Sequence, residues 1–193
     1  GAPIDKVRPG STSIPVPHYE ARVIDADGND CEPGVPGRLA VRGPTGCRYL
    51  SDPRQGEYVQ NGWNITGDTY IRDEDGYFWY QARTDDMIIS AGYNIAGPEV
   101  ESGLLTHPAV AEAGVVAAPD AERGQVAKAY VVLKEGHTSD AQMVRALQDH
   151  VKAELAPYKY PRAVVFLDAL PRTETGKLQR FALRQRAQAE AAR

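Results

Sequence analysis

The arrangement of apolar and polar residues along this chain changes near residue 83. Before that point, short runs alternate apolar and polar residues, as strands with one buried face do. Residues 37–42 show the alternation most clearly, and residues 21–24 form another such run. Glycine-containing turn signals at residues 27–28 and 73–76 join neighbouring runs into hairpins. Short strands at this spacing predict a small barrel or sandwich.

Beyond residue 83 the apolar spacing becomes that of helices. Pro98 stands where a helix begins, an acidic residue follows it in the first turn, and Pro108 marks the end. We expect Val100, Leu104 and Leu105 to form the buried face of this helix.

A second helix is predicted after Ser139, which precedes Gln142 by three residues, the spacing of a capping box. Pro157 ends this helix. Its apolar positions recur at helical spacing: Val144, Leu147, Val151 and Leu155. Residues 179–192, rich in Ala, Arg and Gln, predict a final helix.

Three strands are predicted from β-branched apolar runs, at residues 110–118, 128–134 and 163–167. Helices mixed with strands indicate an α+β fold. We therefore predict a small β-barrel-like subdomain over residues 1–83, followed over residues 86–193 by an α+β domain with a three-stranded sheet. The boundary between them lies at residues 83–86.

Composition excludes several classes of function. The 193 residues carry a net charge of -4 without a basic block, which argues against nucleic-acid binding. No apolar run approaches the ~18 residues of a membrane span. Cys31 and Cys47 lie far apart, as is typical of a reducing compartment, although a disulfide between them stays an open alternative. We expect a cytoplasmic protein that binds no membrane and, with four scattered histidines, no structural metal ion.

The tripeptide Thr66-Gly67-Asp68 is the first candidate for chemistry. A glycine beside a carboxylate lets the backbone approach a ligand, while the carboxylate accepts two hydrogen bonds. A ribose diol offers two donors of this kind. The alternative is an acidic residue in an ordinary turn.

A charged cluster follows at the predicted boundary. The planar guanidinium of Arg83 suits a phosphate or ribose oxygen. Asp85 lies where the composition changes and suits a hinge. Gly92 follows a short apolar strand. The alternative is an exposed linker with solvated charges, in which Gly92 is only a turn glycine.

Residues 171–177 read Pro-Arg-Thr-Glu-Thr-Gly-Lys and carry the third candidate, Lys177. On a flexible Thr/Gly loop its ammonium is a compact charge that can move onto phosphate or carboxylate oxygens. The alternative is a basic loop that precedes a helix.

The order and spacing of these motifs resemble the adenylate-forming superfamily, which comprises acyl-CoA ligases, carrier-protein adenylation domains and luciferases. The resemblance covers nearly the whole chain. It is carried by residues 66–68, 83–86, Gly92, Glu99-Val100-Glu101 and 171–177, with an upstream strand motif at residues 34–43.

The resemblance implies that residues 1–83 are the last subdomain of a large N-terminal adenylation domain. The remainder of that domain, with the acid pocket and the phosphate loop, is missing from this chain. Residues 86–193 would be the mobile C-terminal lid. The chain begins with Gly1 and not Met, as a fragment or a chain with an engineered N-terminus does. Because the acid pocket and the phosphate loop are missing, we expect no ligase activity from these residues alone.

The resemblance also assigns roles by position. Asp68 would bind the ribose hydroxyls of ATP or AMP, Arg83 would contact the nucleotide near ribose and phosphate, and Asp85 would be the hinge. Lys177 would bridge the substrate carboxylate and the α-phosphate during adenylation. Gly92 and its neighbours would line the pantetheine tunnel for coenzyme A (CoA). Mg²⁺ would be bound mainly through the ATP phosphates.

Five residues of the predicted lid are further candidates for CoA contacts: Tyr93, Arg123, Tyr158, Tyr160 and Arg162. Cations suit the phosphates of CoA and rings suit its adenine. The alternative for the tyrosines is ordinary surface packing.

The chain departs from the family pattern at three positions. Ala82 replaces the glycine usual before the arginine, Asn94 replaces an arginine that binds phosphate in some relatives, and Arg38 replaces a common acid. The run over residues 87–95 looks most like ligases for aromatic acids, including benzoate and 2-aminobenzoate. The resemblance therefore implies an AMP-forming acid–CoA ligase as the full-length protein. Two alternatives stay open: an adenylation domain that loads a carrier protein, and a non-catalytic fragment that binds a nucleotide or a partner.

Overall fold

A computed structural model describes residues 4–46, 53 and 55–192. The chain divides into two compact units, Gly1–Asp85 and Asp86–Arg193. Strands dominate the first unit, and the longer helices belong to the second. The predicted α+β fold class is confirmed.

The described residues of the N-terminal unit form a five-stranded antiparallel sheet. Its elements are β1 (Glu20–Ile24), β2 (Gly37–Arg42), the short helix α1 (Gln55–Tyr58), β3 (Val59–Gln60), β4 (Trp63–Arg72) and β5 (Phe78–Arg83). Strand β4 is central, because it pairs with β2, β3 and β5. The strand predicted at residues 37–42 and the hairpin predicted around residues 73–76 are both present.

Both faces of this sheet carry apolar clusters. Val23 packs with Tyr70 and Phe78, whereas the adjacent Ile24 packs with Ala40. Successive residues of a strand point to opposite faces, so two consecutive buried residues require cover on both sides. Cys31 is a free thiol beside the first cluster, and burial raises its pKa. Cys47 lies outside the described residues.

The C-terminal unit is built on a mixed sheet. Its elements are β6 (Met87–Ser90), β7 (Tyr93–Ala96), α2 (Gly97–Leu105), β8 (Val110–Asp120), β9 (Gly124–Leu133), α3 (Ala141–Glu154), β10 (Ala163–Phe166) and α4 (Arg180–Ala191). Strand β9 is central: it pairs with β8 in antiparallel fashion and with β10 in parallel. The three predicted strands are present, and the β6–β7 hairpin adds two more to the described sheet through the Ser90–Gly124 pair.

Helices α2 and α3 cover this sheet with apolar residues that the sequence predicts to be buried. Val100 and Leu104 of α2 lie in one core cluster with Leu147 and Val151 of α3. Leu105 was predicted to be buried with them, but its side chain is 48% exposed. One helical step of about 100° turns Leu105 away from the face that buries Leu104.

The cap of α3 differs from the prediction. Asp140 is the N-cap residue, and its Oδ1 accepts the backbone N–H of Met143 at 2.8 Å. The capping box predicted for Ser139 and Gln142 is therefore wrong by one residue, because the carboxylate of Asp140 already occupies the N-cap position. None of the helices in the described part of the chain has both the length and the hydropathy needed to cross a membrane.

Candidate functional site

Thr66, Gly67 and Asp68 form a bulge at the centre of β4. Ala40 of β2 pairs with Ile65 and Arg38 pairs with Thr69, so three residues of β4 face one residue of β2. Gly67 has φ +75°, a left-handed conformation that favours glycine. Bulges interrupt the ladder and redirect side chains. The candidate tripeptide Thr66-Gly67-Asp68 therefore forms a β-bulge in the central strand of the sheet.

The bulge places Asp68 beside Arg83. The two residues are register partners on β4 and β5, and Arg83 Nη1 lies 3.3 Å from Asp68 Oδ1. The Arg83 side chain is 56% exposed and the Asp68 side chain 26% exposed. A Cβ on Gly67 would lie 3.3 Å from Arg83 Nη2, so the absence of a side chain there gives the guanidinium room. The structure brings together two of the predicted nucleotide-binding residues.

Asp85 lies at the junction of the two units. It belongs to the 3-10 turn Thr84–Asp86 and its side chain is exposed. The neighbouring Asp86 is largely buried and forms an ion pair with Arg184 of α4. The C-terminal unit therefore begins with a residue that is bound to its own last helix.

The β6–β7 hairpin brings together four of the predicted CoA-binding residues. Its two-residue turn consists of Ala91 and Gly92, with φ +49° and +82°, as tight hairpins require. The backbone N–H of Ala91 donates to the carbonyl of Arg123 at 3.1 Å. Tyr93 stacks on Tyr158, with ring centroids 4.5 Å apart and planes 25° from parallel. Both rings remain substantially exposed.

The other two predicted CoA-binding residues form a pair of their own. Arg162 Nη1 donates to the hydroxyl of Tyr160 at 3.1 Å, and its guanidinium carbon lies 5.0 Å from the centroid of the same ring. Lys152 Nζ lies 4.5 Å from that centroid. Two cations therefore flank Tyr160, and the ring is less accessible than the Tyr93–Tyr158 stack.

Lys177 lies at the end of a hydrogen-bonded turn. Thr173 donates its N–H to the Lys177 carbonyl at 2.8 Å and accepts the Gly176 N–H at 2.9 Å. The Lys177 N–H donates to Thr173 Oγ1 at 3.1 Å, and Gly176 has φ +82°. The turn is thus more constrained than the flexible loop that its Thr/Gly composition predicts.

The side chain of Lys177 is exposed. Among the described residues, its ammonium has neither a hydrogen-bond acceptor nor an ion-pair partner. Hydrogen bonds fix the backbone of Lys177, and its unpaired ammonium remains available to an anionic ligand. The role of Lys177 in adenylation stays a prediction.

A largely buried ion pair between Glu101 and Arg180 has no role in the predictions from sequence. Glu101 of α2 is 8% exposed, and its Oε1 accepts the N–H of Val115 at 2.8 Å. Its Oε2 accepts Arg180 Nη2 at 2.5 Å. The only signal in the sequence was the acidic Glu99-Val100-Glu101 segment, which does not show what Glu101 contacts.

A family model described as the AMP-binding enzyme C-terminal domain matches residues 99–177. The match ends at Lys177 and includes the turn that carries it. An uncharacterized acyl–CoA ligase of Bacillus subtilis (strain 168), YtcI, is 44% identical over 184 residues, which are 93% of this chain and 35% of the relative. Residues 99–177 therefore belong to the AMP-binding enzyme C-terminal domain family, and nearly the whole chain is similar to about a third of an adenylate-forming acyl–CoA ligase.

Solved structures of adenylate-forming enzymes agree with this assignment. An anthranilate CoA ligase, AuaEII, in complex with anthranoyl-AMP has a TM-score of 0.82 and 38% identity, covering 97% of this chain and 37% of that one. The o-succinylbenzoate CoA synthetase MenE of Bacillus subtilis, with its acyl-adenylate intermediate, has a TM-score of 0.77 and 40% identity over 90% of this chain and 35% of its own. The chain spans about a third of the length of these relatives.

The departures from the superfamily pattern have local explanations at two positions. Arg38 Nη2 donates to the carbonyl of Asp25 at 2.9 Å, so this cation closes the turn that follows β1. Ala82 is fully buried in β5. Asn94 is exposed on β7.

Proposed function

We propose that this chain is the C-terminal part of an ATP-dependent acid–CoA ligase, which forms an acyl-adenylate and then an acyl-CoA thioester. The observation that carries the proposal is the exposed, unpaired ammonium of Lys177 on a hydrogen-bonded turn, within the segment that matches the AMP-binding enzyme C-terminal domain.

In the first half-reaction a carboxylate attacks the α-phosphate of ATP. Both groups are anionic, so they repel each other as the new bond forms. The Lys177 ammonium would lie between them and stabilise the charge that develops in the transition state. Loss of one such donor typically costs about 10²–10³ in rate.

Asp68 and Arg83 would bind the nucleotide from the N-terminal unit. The carboxylate of Asp68 would accept the ribose hydroxyls, and the exposed guanidinium of Arg83 would contact ribose and phosphate oxygens. The described residues contain no cluster of three His, Cys, Asp or Glu side chains suited to a metal ion. The Mg²⁺ that neutralises the triphosphate would be held mainly by ATP phosphate oxygens.

The second half-reaction has no need of Lys177. We propose that the backbone at Asp85 rotates between the two half-reactions, which replaces the lysine turn by the β6–β7 hairpin. Gly92 and Tyr93 would then line the pantetheine path. The Tyr93–Tyr158 stack and Arg123 would bind the nucleotide end of CoA, with Tyr160 and Arg162 as further contacts.

We propose an aromatic acid as the substrate, such as benzoate or 2-aminobenzoate. Two structural neighbours are named as ligases of anthranilate and o-succinylbenzoate, both of which are aromatic acids. The test is a panel of aromatic and aliphatic acids given to the complete enzyme with ATP and free CoA. Higher kcat/KM for aliphatic acids would contradict this choice, and turnover only with a pantetheinylated carrier protein would contradict CoA as acceptor.

The role of Lys177 is tested with Lys177→Ala in the complete enzyme. Acid-dependent exchange of pyrophosphate into ATP should fall about 10²–10³-fold. Thioester formation from supplied acyl-adenylate and CoA should be largely retained. Lys134→Ala, which removes a lysine just after β9, is the matched control. Equal losses in both half-reactions would refute the assigned role.

Two further experiments address the hinge and the fragment. Asp85→Pro should spare adenylation and block thioester formation, because proline restricts the backbone torsions on which the rotation depends. Unchanged overall turnover would exclude Asp85 as the hinge. The isolated 193-residue chain should form no acyl-CoA, and measurable product from it would contradict the need for the missing domain.

A further inference from the structure

A second cation, Arg172, contacts the turn that carries Lys177. Its Nη1 donates to the Gly176 carbonyl at 2.7 Å, and this carbonyl belongs to the peptide group that joins Gly176 to Lys177. Its Nη2 forms an ion pair with Glu112 of β8. One guanidinium therefore links the peptide at the catalytic lysine to the sheet.

The position of Glu112 follows from a bulge in β8. Val110 and Glu112 pair with the consecutive residues Leu133 and Val132 of β9, so Ala111 is an extra residue in the strand. A bulge changes the direction in which the neighbouring side chains point. The bulge at Ala111 thus sets the direction of the Glu112 carboxylate that pairs with Arg172.

The remaining hydrogen bonds of the turn have a different effect. The bonds between Thr173 and Gly176 or Lys177 close the turn on itself, and Leu178 packs on the apolar cluster below it. The Arg172–Glu112 pair instead fixes the polar tip of the turn against β8.

We infer that Arg172 is a positioning residue for Lys177 in adenylation, an inference that rests on the proposed function. A lysine side chain is long, so small shifts of its backbone move the ammonium away from the reacting oxygens. Misplacement by ~1 Å can cost up to about 10²-fold in rate. The Arg172 and Glu112 side chains are 45% and 38% exposed, and ion pairs this exposed contribute little to stability.

The test uses Arg172→Ala in the complete enzyme. We expect acid-dependent pyrophosphate exchange to fall about 10- to 100-fold through kcat, with little change in KM for ATP. Thioester formation from supplied acyl-adenylate and the thermal midpoint should both stay at the wild-type values. Arg172→Lys, which can keep one of the two contacts, should restore part of the lost exchange. Arg145→Ala is the control, since Arg145 is an exposed arginine of α3 with a bond to one backbone carbonyl.

Glu112→Gln tests whether Arg172 acts through the sheet. It should lower the exchange rate by less than Arg172→Ala does, and the double variant should be no slower than Arg172→Ala alone. A normal exchange rate in Arg172→Ala, beside a collapsed rate in Lys177→Ala, would overturn the inference and leave the proposed function intact. Parallel losses of both half-reactions and of thermal stability would overturn it as well. An unaffected Lys177→Ala would overturn the proposed function and this inference with it.

Discussion

Glu101 connects three elements of the C-terminal unit through one carboxylate. It lies on α2, accepts the backbone N–H of Val115 in β8 and binds Arg180 of α4. Val115 lies on β8, which pairs only with β9 among the described strands. The Val115 N–H donates to Glu101 and not to a neighbouring strand, so this carboxylate supplies its acceptor. Replacing Glu101 by Ala removes both interactions.

The cost of Glu101→Ala follows from the two interactions. A buried N–H left without an acceptor costs about 1–3 kcal/mol. The ion pair adds about 1 kcal/mol, because Arg180 remains partly exposed to solvent. The expected loss is therefore about 2–4 kcal/mol, which lowers a urea midpoint by about 1–2 M at a typical slope. Glu101→Gln keeps an oxygen for Val115 and should lose only about 1 kcal/mol.

The chain offers a separate spectroscopic signal for each unit. Both of its tryptophans, Trp63 and Trp79, lie in the N-terminal unit, whereas α2, α3 and α4 lie in the C-terminal unit. In urea, tryptophan fluorescence reports the first unit and circular dichroism at 222 nm the second. We expect Glu101→Ala to lower only the midpoint at 222 nm. The exposed Glu122→Ala is the control. Equal midpoints for the two variants, or an equal shift in fluorescence, would refute the reasoning.

Three other substitutions can be tested with the same two signals. A hydrogen bond from Arg186, with further bonds from Lys128 and Tyr130, lowers the pKa of Glu190 to about 2. The stability that ionised Glu190 contributes to the fold is therefore complete above about pH 4.5 and is lost as the pH falls towards 2. Glu190→Gln should therefore lower the free energy of unfolding by about 1 kcal/mol at pH 7, and the urea midpoint at 222 nm should depend less on pH below about 4.5. Burial, and then the charge of His150, lowers the pKa of His107, so stability should decline as the pH falls below about 6.5, and less steeply in His107→Gln. Ala91 has φ +49°, which favours glycine, so Ala91→Gly should raise the free energy of unfolding by about 0.5–1 kcal/mol. A midpoint that does not move in the stated direction contradicts the corresponding prediction.

The elements that the sequence predicts well are those with a local cause. The alternation of apolar and polar residues over 37–42 predicts a strand, and the strand has these bounds in the structure. Pro98 and the acid that follows it mark the start of α2 because proline fixes the first turn and an acid complements the helix N-terminus. The cap of α3 was misplaced by one residue, since Ser139 and Asp140 both have side chains that can cap a helix.

Pairings between residues far apart in the chain have no local sequence pattern that predicts them. The β6–β7 hairpin joins the sheet through Ser90 and Gly124, and neither residue carries a pattern that indicates the other. The same holds for Glu112 and Arg172, which lie sixty positions apart and meet because a bulge redirects one of them. The sequence could therefore indicate Lys177 as a candidate but not the contacts that hold its turn.

Helix α4 connects the lysine turn to the residue that follows the proposed hinge. Helix α4 begins shortly after Lys177 and binds Asp86, the residue that follows the proposed hinge, through Arg184. The same helix is bound to α2 through Arg180, and its Leu183 lies in an apolar cluster with residues of β8 and β9. Closely packed elements transmit displacement instead of absorbing it. If Asp85 is the hinge, as we propose, a torsion change there would carry the turn with the rest of the C-terminal unit, and the proposed exchange of half-reactions would need no rearrangement of the turn itself.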